Sequence, residues 1–335
     1  MNLRLSSFSP FDTAILPAAG LWTSAVGVTI IPGGGRSGSA DDNCAEFDTA
    51  LGSLLSVTVT PGAVAGIYTA TFGLAVQVLT VTDASPPNST TLASVWPANS
   101  RFDLVLLSDG ALQIRQTTGG VLLGTICETT PAIVPIGTGG CYLEAQIRLV
   151  SGASTACQIR VSDVAGEMHP LVQGALLGVD AGPYTAFRLG GGVGEEPATW
   201  RVADVYLNDG VPAATPIPYK GRLIYNDSFF GNTHIDALYP TADGTNLSVG
   251  NTPWVPDTGA VQYTQIDEHP PDEDVSYLAA SMSGQTSTFS FLSARPAPFG
   301  ALACSGLFVP IYAIQWDGRL RTGGESIDIV PIVRE

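Results

Sequence analysis

Between residues 25 and 208, apolar stretches of strand length recur, each closed by a turn signal, and none repeats at helical spacing. The stretches fall at 25–31, 54–60, 66–79, 102–107, 112–116, 121–127, 141–149, 155–162, 185–189 and 200–208. Several alternate strictly. In 142–149 the even positions carry Tyr142, Glu144, Gln146 and Arg148, while Leu143, Ala145, Ile147 and Leu149 form an apolar face. A period of two places successive side chains on opposite faces of a sheet. Asp109-Gly110, between two such stretches, predicts a tight hairpin, and Thr118 to Gly120 punctuates the next one. Chains of this kind bury their apolar faces by packing one sheet on another, so the pattern predicts an all-β two-sheet sandwich.

Composition agrees with that class. Charged residues make up 13% against 45% apolar, with 38 Gly and 24 Pro, and the lone lysine is Lys220. Such a turn-rich, charge-poor mixture suits strands and loops better than helices. Lys and Arg total 14 and Asp and Glu 30, so the formal charge is −16. A surface this acidic opposes phosphate backbones and anionic lipid, which excludes nucleic acid as a partner. It favours solubility at high local concentration. No apolar run reaches membrane-spanning length, so no membrane insertion is expected. The opening residues, interrupted by Ser, Pro and Asp, do not read as a signal peptide.

The five cysteines, Cys44, Cys127, Cys141, Cys157 and Cys304, are odd in number and lack metal-ligand spacing. If 141–150 and 155–162 form one hairpin, Cys157 falls opposite roughly Arg148 and Cys141 lies near the far end. That separation exceeds disulfide reach. Buried free thiols are therefore expected, as in a protein assembled in a reducing cytoplasm.

After Gly210 comes VPAATPIPYK, with three prolines in ten residues. Proline at this density makes an extended connection, which predicts two domains, 1–211 and 220–335. The second contains a long loop-rich block, 226–277, crowded with Gly, Pro, Asn, Asp, Ser and Thr. Long ordered loops in compact domains are usually functional or held against a partner. Leu238, Tyr239, Val255 and Tyr263 would form an apolar patch beside water. Packing them against a neighbouring subunit predicts an assembly interface and a homo-oligomer.

That block also carries a resemblance. A Phe229-Phe230-Gly231 turn precedes His234 to Gly244 (HIDALYPTADG); then come Trp254 to Gly259 (WVPDTG), Asp267-Glu268, Pro270 to Asp272 and Asp274 to Tyr277. This resembles a block of tailed-bacteriophage virion proteins, from whose usual text it departs at Asn232 and His234. There the block follows a domain of the laminin-G or concanavalin jelly-roll type. Residues 102–116, the 141–161 hairpin and the closing 200–210 are similar to parts of that sandwich. The resemblance implies an all-β architecture: a jelly-roll sandwich followed by a smaller β-rich domain. It implies a structural or adhesive protein located on the virion, with other virion proteins as partners; the apolar patch on its long loops makes the second domain the expected anchor, with the sandwich outward. An alternative is an adhesin that binds host-surface glycan through the sandwich.

Few residues suggest chemistry. Retaining glycanases place two carboxyl groups roughly 5 Å apart on one face. Glu46 and Asp48 have the i, i+2 spacing for this, but 49–52 supplies no third carboxylate. No catalytic residue is therefore assigned. The acidic run Asp267, Glu268, Asp272, Glu273 and Asp274 holds enough oxygen ligands for calcium, although such a run is more often a solvated charged loop. No other cofactor is implied. Among the tryptophans, Trp22 and Trp200 read as core. Trp96 and Trp254 precede proline-containing turns and are the candidates for a sugar-stacking platform, or for anchoring a loop on its own domain.

Overall fold

The fold is that of a computed structural model. It describes residues 22–36, 43–61, 67–82, 89–97, 100–119, 121–137, 139–150, 155–163, 169–176, 183–191 and 197–208. It also describes 3–6, Phe8, Phe229 and the backbones of six short strands after residue 216.

Two antiparallel sheets face each other in a jelly-roll sandwich. Strands are numbered in chain order. The eight-stranded sheet runs β13 (Val172–Leu176), β12 (Thr155–Asp163), β11 (Cys141–Val150), β6 (Ile67–Val81), β15 (Ala198–Asn208), β4 (Cys44–Asp48) and β3 (Thr29–Ile31). β1 (Leu3–Ser6) also pairs with β15. The seven-stranded sheet runs β10 (Val121–Glu128), β9 (Leu112–Thr118), β8 (Ser100–Leu107), β7 (Ser89–Pro97), β14 (Tyr184–Gly190), β5 (Leu54–Thr58) and β2 (Ser24–Val26).

The alternation in the sequence decides which face is buried. Ala70, Phe72, Leu74, Val76 and Val78 of β6 and Leu143, Ala145, Ile147 and Leu149 of β11 all point into one core. Phe72 meets Phe187 of the other sheet with ring centroids 5.1 Å apart, and Trp200 stacks on Phe47 at 4.3 Å. Trp22 and Trp200 are core residues, as their contexts predict.

β15 shows how a slip in the pattern becomes geometry. Trp200 and Val202 are inward at even positions, but Val205 and Leu207 are inward at odd ones. A regular strand cannot satisfy both. The register accordingly shifts between Ala203 and Tyr206, where Asp204 takes a left-handed φ of 50°. This bulge restores the apolar residues to the core and turns Tyr206 to the opposite face.

The expected hairpin at Asp109-Gly110 forms, with Gly110 at φ 82° and the Asp109 carboxylate accepting from Ala111 N–H at 3.0 Å. β4 and β7 fall at positions not anticipated as strands. β7 is rich in Ser and Thr, and its alternation is broken by a register shift between Thr91 and Ala93.

Cys44, Cys127, Cys141 and Cys157 are free and buried, and Cys304 lies outside the described residues. The β11–β12 register sets Cys157 opposite Ile147, one position from the expected partner, and Cys141 opposite Asp163. The two thiols therefore sit at opposite ends of the hairpin.

Beyond the sandwich the backbone forms three two-stranded ladders: β16 (Ile217–Tyr219) with β17 (Arg222–Ile224), β18 (Tyr239–Asp243) with β21 (Phe289–Leu292), and β19 (Val255–Pro256) with β20 (Leu278–Ala279). Most of the expected 212–219 connection lies outside the described residues, although β16 begins within it. Among the described residues, no helix is long and apolar enough to cross a membrane.

Candidate functional site

Each sheet has an outward face that carries charged residues. On the eight-stranded sheet, Glu144 is 1% exposed. It accepts from the Tyr206 hydroxyl at 2.7 Å and from Arg160 Nε at 3.0 Å. The Arg160 guanidinium lies 4.8 Å from the Phe229 ring centroid, which brings the first residue of the Phe-Phe-Gly turn onto this face. Arg36 pairs with Asp204 at 3.3 Å and lies over the Tyr142 ring. Gly73 lies beneath: a Cβ there would strike the Tyr206 ring and approach the Tyr142 hydroxyl to 2.8 Å. Arg36 and Arg160 are thus each answered by a buried carboxylate, whereas Arg148 of the same sheet has no carboxylate partner among the described residues.

Glu46 and Asp48 lie on the same sheet and are both committed structurally. Glu46 accepts from Arg201 Nε at 2.8 Å, and Asp48 caps a 3-10 turn through Ala50 N–H at 2.9 Å.

On the seven-stranded sheet, a cross-strand row runs over the outer face through Ser56, Arg188, Ser94, Asp103, Arg115 and Thr125. Trp96 stands beside this row, half-buried, with the Arg188 guanidinium carbon 4.0 Å and that of Arg101 5.5 Å from its ring. Guanidinium groups at such distances are held by the ring's negative face. The indole N–H donates to Ser94 Oγ at 2.8 Å, which fixes the ring plane.

The three arginines are committed to different degrees. Arg101 Nε donates to Asp103, a buried carboxylate, at 2.7 Å. Arg115 donates from Nε to Gln113 at 2.7 Å and from NH1 to Ser89 at 2.9 Å. Burial lowers the Arg115 pKa, while Glu128 and Asp103 act to raise it. Arg188 has no carboxylate partner among the described residues, and its Nε is buried without an acceptor. Among these groups, three cations face two anions, the buried Asp103 and, beside Arg115, Glu128. Trp96, Arg188 and Arg101 therefore form the strongest candidate for contact with a ligand. Because the ring already carries a guanidinium, a ligand here meets charge edged by indole rather than bare indole.

Trp96 is the one candidate from the sequence that this site contains. Arg101, Arg115 and Arg188 were missed. Their signal was the charged residue alternating with core residues in Arg101-Phe102-Asp103-Leu104, Ile114-Arg115-Gln116 and Phe187-Arg188-Leu189. Trp254, Asp267, Glu268, Asp272, Asp274, Leu238 and Tyr263 lie outside the described residues, and Tyr239 and Val255 are placed by backbone alone, in β18 and β19. Among the described residues, no group of three or more His, Cys, Asp or Glu could hold a metal ion.

No protein-family model matches the chain, and no curated protein matches it in sequence. Among solved structures, an alginate lyase, Aly36B, aligns with a TM-score of 0.39 and 9% identity over 61% of this chain and 96% of its own. The receptor-binding domain of botulinum neurotoxin type G aligns with a TM-score of 0.36 and 8% identity over 56% of this chain and 42% of its own. The binding domain of botulinum neurotoxin DC, in complex with SialylT, aligns at 0.34 and 9% over 62% and 42%. At these values the likenesses carry no argument about activity, and the site has to be read from its own residues.

Proposed function

We propose that this chain is a surface protein of a tailed-phage virion whose sandwich binds host-surface glycan through the outer face of its seven-stranded sheet. The observation that supports binding is the Trp96–Arg188 stack at 4.0 Å. It presents a guanidinium without a carboxylate partner among the described residues, edged by an indole whose plane is fixed. Sugars offer apolar ring faces and convergent hydroxyls, which such a surface complements. The virion setting rests on the block at 226–277, with the region 220–335 as anchor and the sandwich outward. Binding without chemistry is favoured over hydrolysis because Glu46 and Asp48 are committed to Arg201 and to a turn cap.

The full-length chain is expected to retain a restricted set of glycans on an array and to release no cleaved product. Trp96→Ala is expected to weaken that binding by about tenfold or more, since base-free aromatic and charged anchors of this kind carry about 1.4 kcal/mol or more. Unchanged binding by a folded Trp96→Ala chain would remove the face from consideration. An antibody against the chain is expected to decorate intact particles in electron micrographs, and bare particles would remove the virion setting.

A further inference from the structure

We infer that the glycan read at this face is acidic, and that its carboxylate is seated by Arg188 with Arg101 beside it. The inference rests on the glycan-binding reading and names the ligand class within it.

The first argument is charge economy. The chain carries 14 basic residues against 30 acidic ones. Its overall field repels an anion, so an anion can be held only where cations are concentrated locally. Arg101, Arg115 and Arg188 lie on three neighbouring or near-neighbouring strands of one face, with Asp103 paired to Arg101 and Glu128 acting on Arg115, so the cation in excess is Arg188. On the other sheet Arg36, Arg160 and Arg201 each have a carboxylate within 3.3 Å. Arg188 has no such carboxylate among the described residues; Arg148 on the eight-stranded sheet also lacks one, but of the two only Arg188 lies in a cluster of cations and against an aromatic ring among the described residues.

The second argument is geometry. Arg188 is held by stacking on Trp96, and no hydrogen bond among the described residues occupies its guanidinium. Stacking restricts the guanidinium plane; Nε is buried, and the terminal NH1/NH2 edge carries no hydrogen bond among the described residues, so that edge is the fork left for a ligand. That is the arrangement suited to a carboxylate, which takes two parallel N–H bonds at about 2.7–2.9 Å. A neutral hydroxyl would satisfy one donor and leave the charge unanswered. Ser56, on the strand beside Arg188 and only partly buried, supplies a small polar neighbour for the rest of a sugar ring, while Ser94 on the other side is buried and holds the Trp96 indole N–H. Three arginines without a wider basic surface are too few to hold a nucleic-acid backbone against a charge of −16.

The test measures the full chain against matched ligand pairs: an oligouronate and its carboxyl-reduced form, and a sialylated oligosaccharide and its desialylated form. At least one acidic member is expected to bind about tenfold or more tighter than its neutral partner, with the preference shrinking as salt rises. Arg188→Gln is expected to abolish the preference. Arg188→Lys, which keeps the charge and loses the fork, is expected to reduce it; far-UV circular dichroism checks that both fold. Equal binding of acidic and neutral members would overturn the acidic assignment and leave the glycan reading standing. Binding of neither member, with an empty array, would sink the glycan reading itself. A retained preference in a folded Arg188→Gln chain would move the carboxylate elsewhere. Preference for a sulfated sugar over every carboxylated one would also overturn the assignment.

Discussion

Gly174→Ala is expected to destabilise the sandwich by about 3 kcal/mol, the upper part of the range for overpacking a closed core. Gly174 lies on β13 opposite Cys157, at the edge of the eight-stranded sheet. A Cβ there would collide with the Ile126 carbonyl oxygen, stand 2.7 Å from its carbon, and stand 2.8 Å from Cys127 Cβ. Ile126 and Cys127 belong to β10, the edge strand of the other sheet. Gly174 is thus where the two sheets close on each other along one side. The obstacle is backbone, which cannot rotate out of the way as a side chain would. Gly124, on the same β10, has open space where its Cβ would be, so Gly124→Ala is the control and is expected to change stability by less than about 0.5 kcal/mol. Urea midpoints of the two variants decide the matter. Equal midpoints would mean that β10 and β13 do not meet as described.

Stability is expected to fall steeply above pH 9, because folding shields thiols that the unfolded chain would ionise. Burial raises Cys127 from 9.0 to about 11 and Cys141 to about 12. Cys157 is also raised, by burial first and then by the neighbouring Cys127. Below pH 9 each thiol keeps its proton in both states and contributes no slope. Between 9 and about 11 the unfolded chain loses these protons while the folded one keeps them, so rising pH favours unfolding. Each such thiol is worth about 1.4 kcal/mol per pH unit, so three give roughly 4 kcal/mol per unit. A domain with roughly 5–15 kcal/mol in total cannot sustain that for long. Denaturant midpoints measured from pH 8 to 10.5 are expected to fall, and alanine at Cys127 or Cys157 is expected to flatten the fall. A constant midpoint over this range would mean that the thiols reach water in the folded protein. Titration of the denatured, never-reduced chain is expected to find close to five thiols.

The core was readable because alternation is a local property. Leu143, Ala145, Ile147 and Leu149 declare one face of β11 wherever that strand pairs, and Tyr142, Glu144 and Gln146 declare the other. The phase slip in 200–207 likewise contained the β15 bulge, although its consequence for Tyr206 emerges only when the strand is paired. β7 was not readable, since Thr90, Thr91 and Ser94 are buried polar residues that look like surface in a linear pattern.

The sequence by itself determined the all-β class, the inward residues of most strands and the absence of disulfides among the described thiols, and it singled out Trp96 as a candidate. Only the tertiary structure decided what surrounds that ring. Residues 96, 101, 115 and 188 come from four strands, and their meeting depends on strand order and register. Neither is encoded in a window of sequence, because non-local pairing is set by how whole sheets bury their apolar faces. For the same reason, that Arg188 is left without a carboxylate while Arg160 and Arg201 are paired could be read only from the folded sheets.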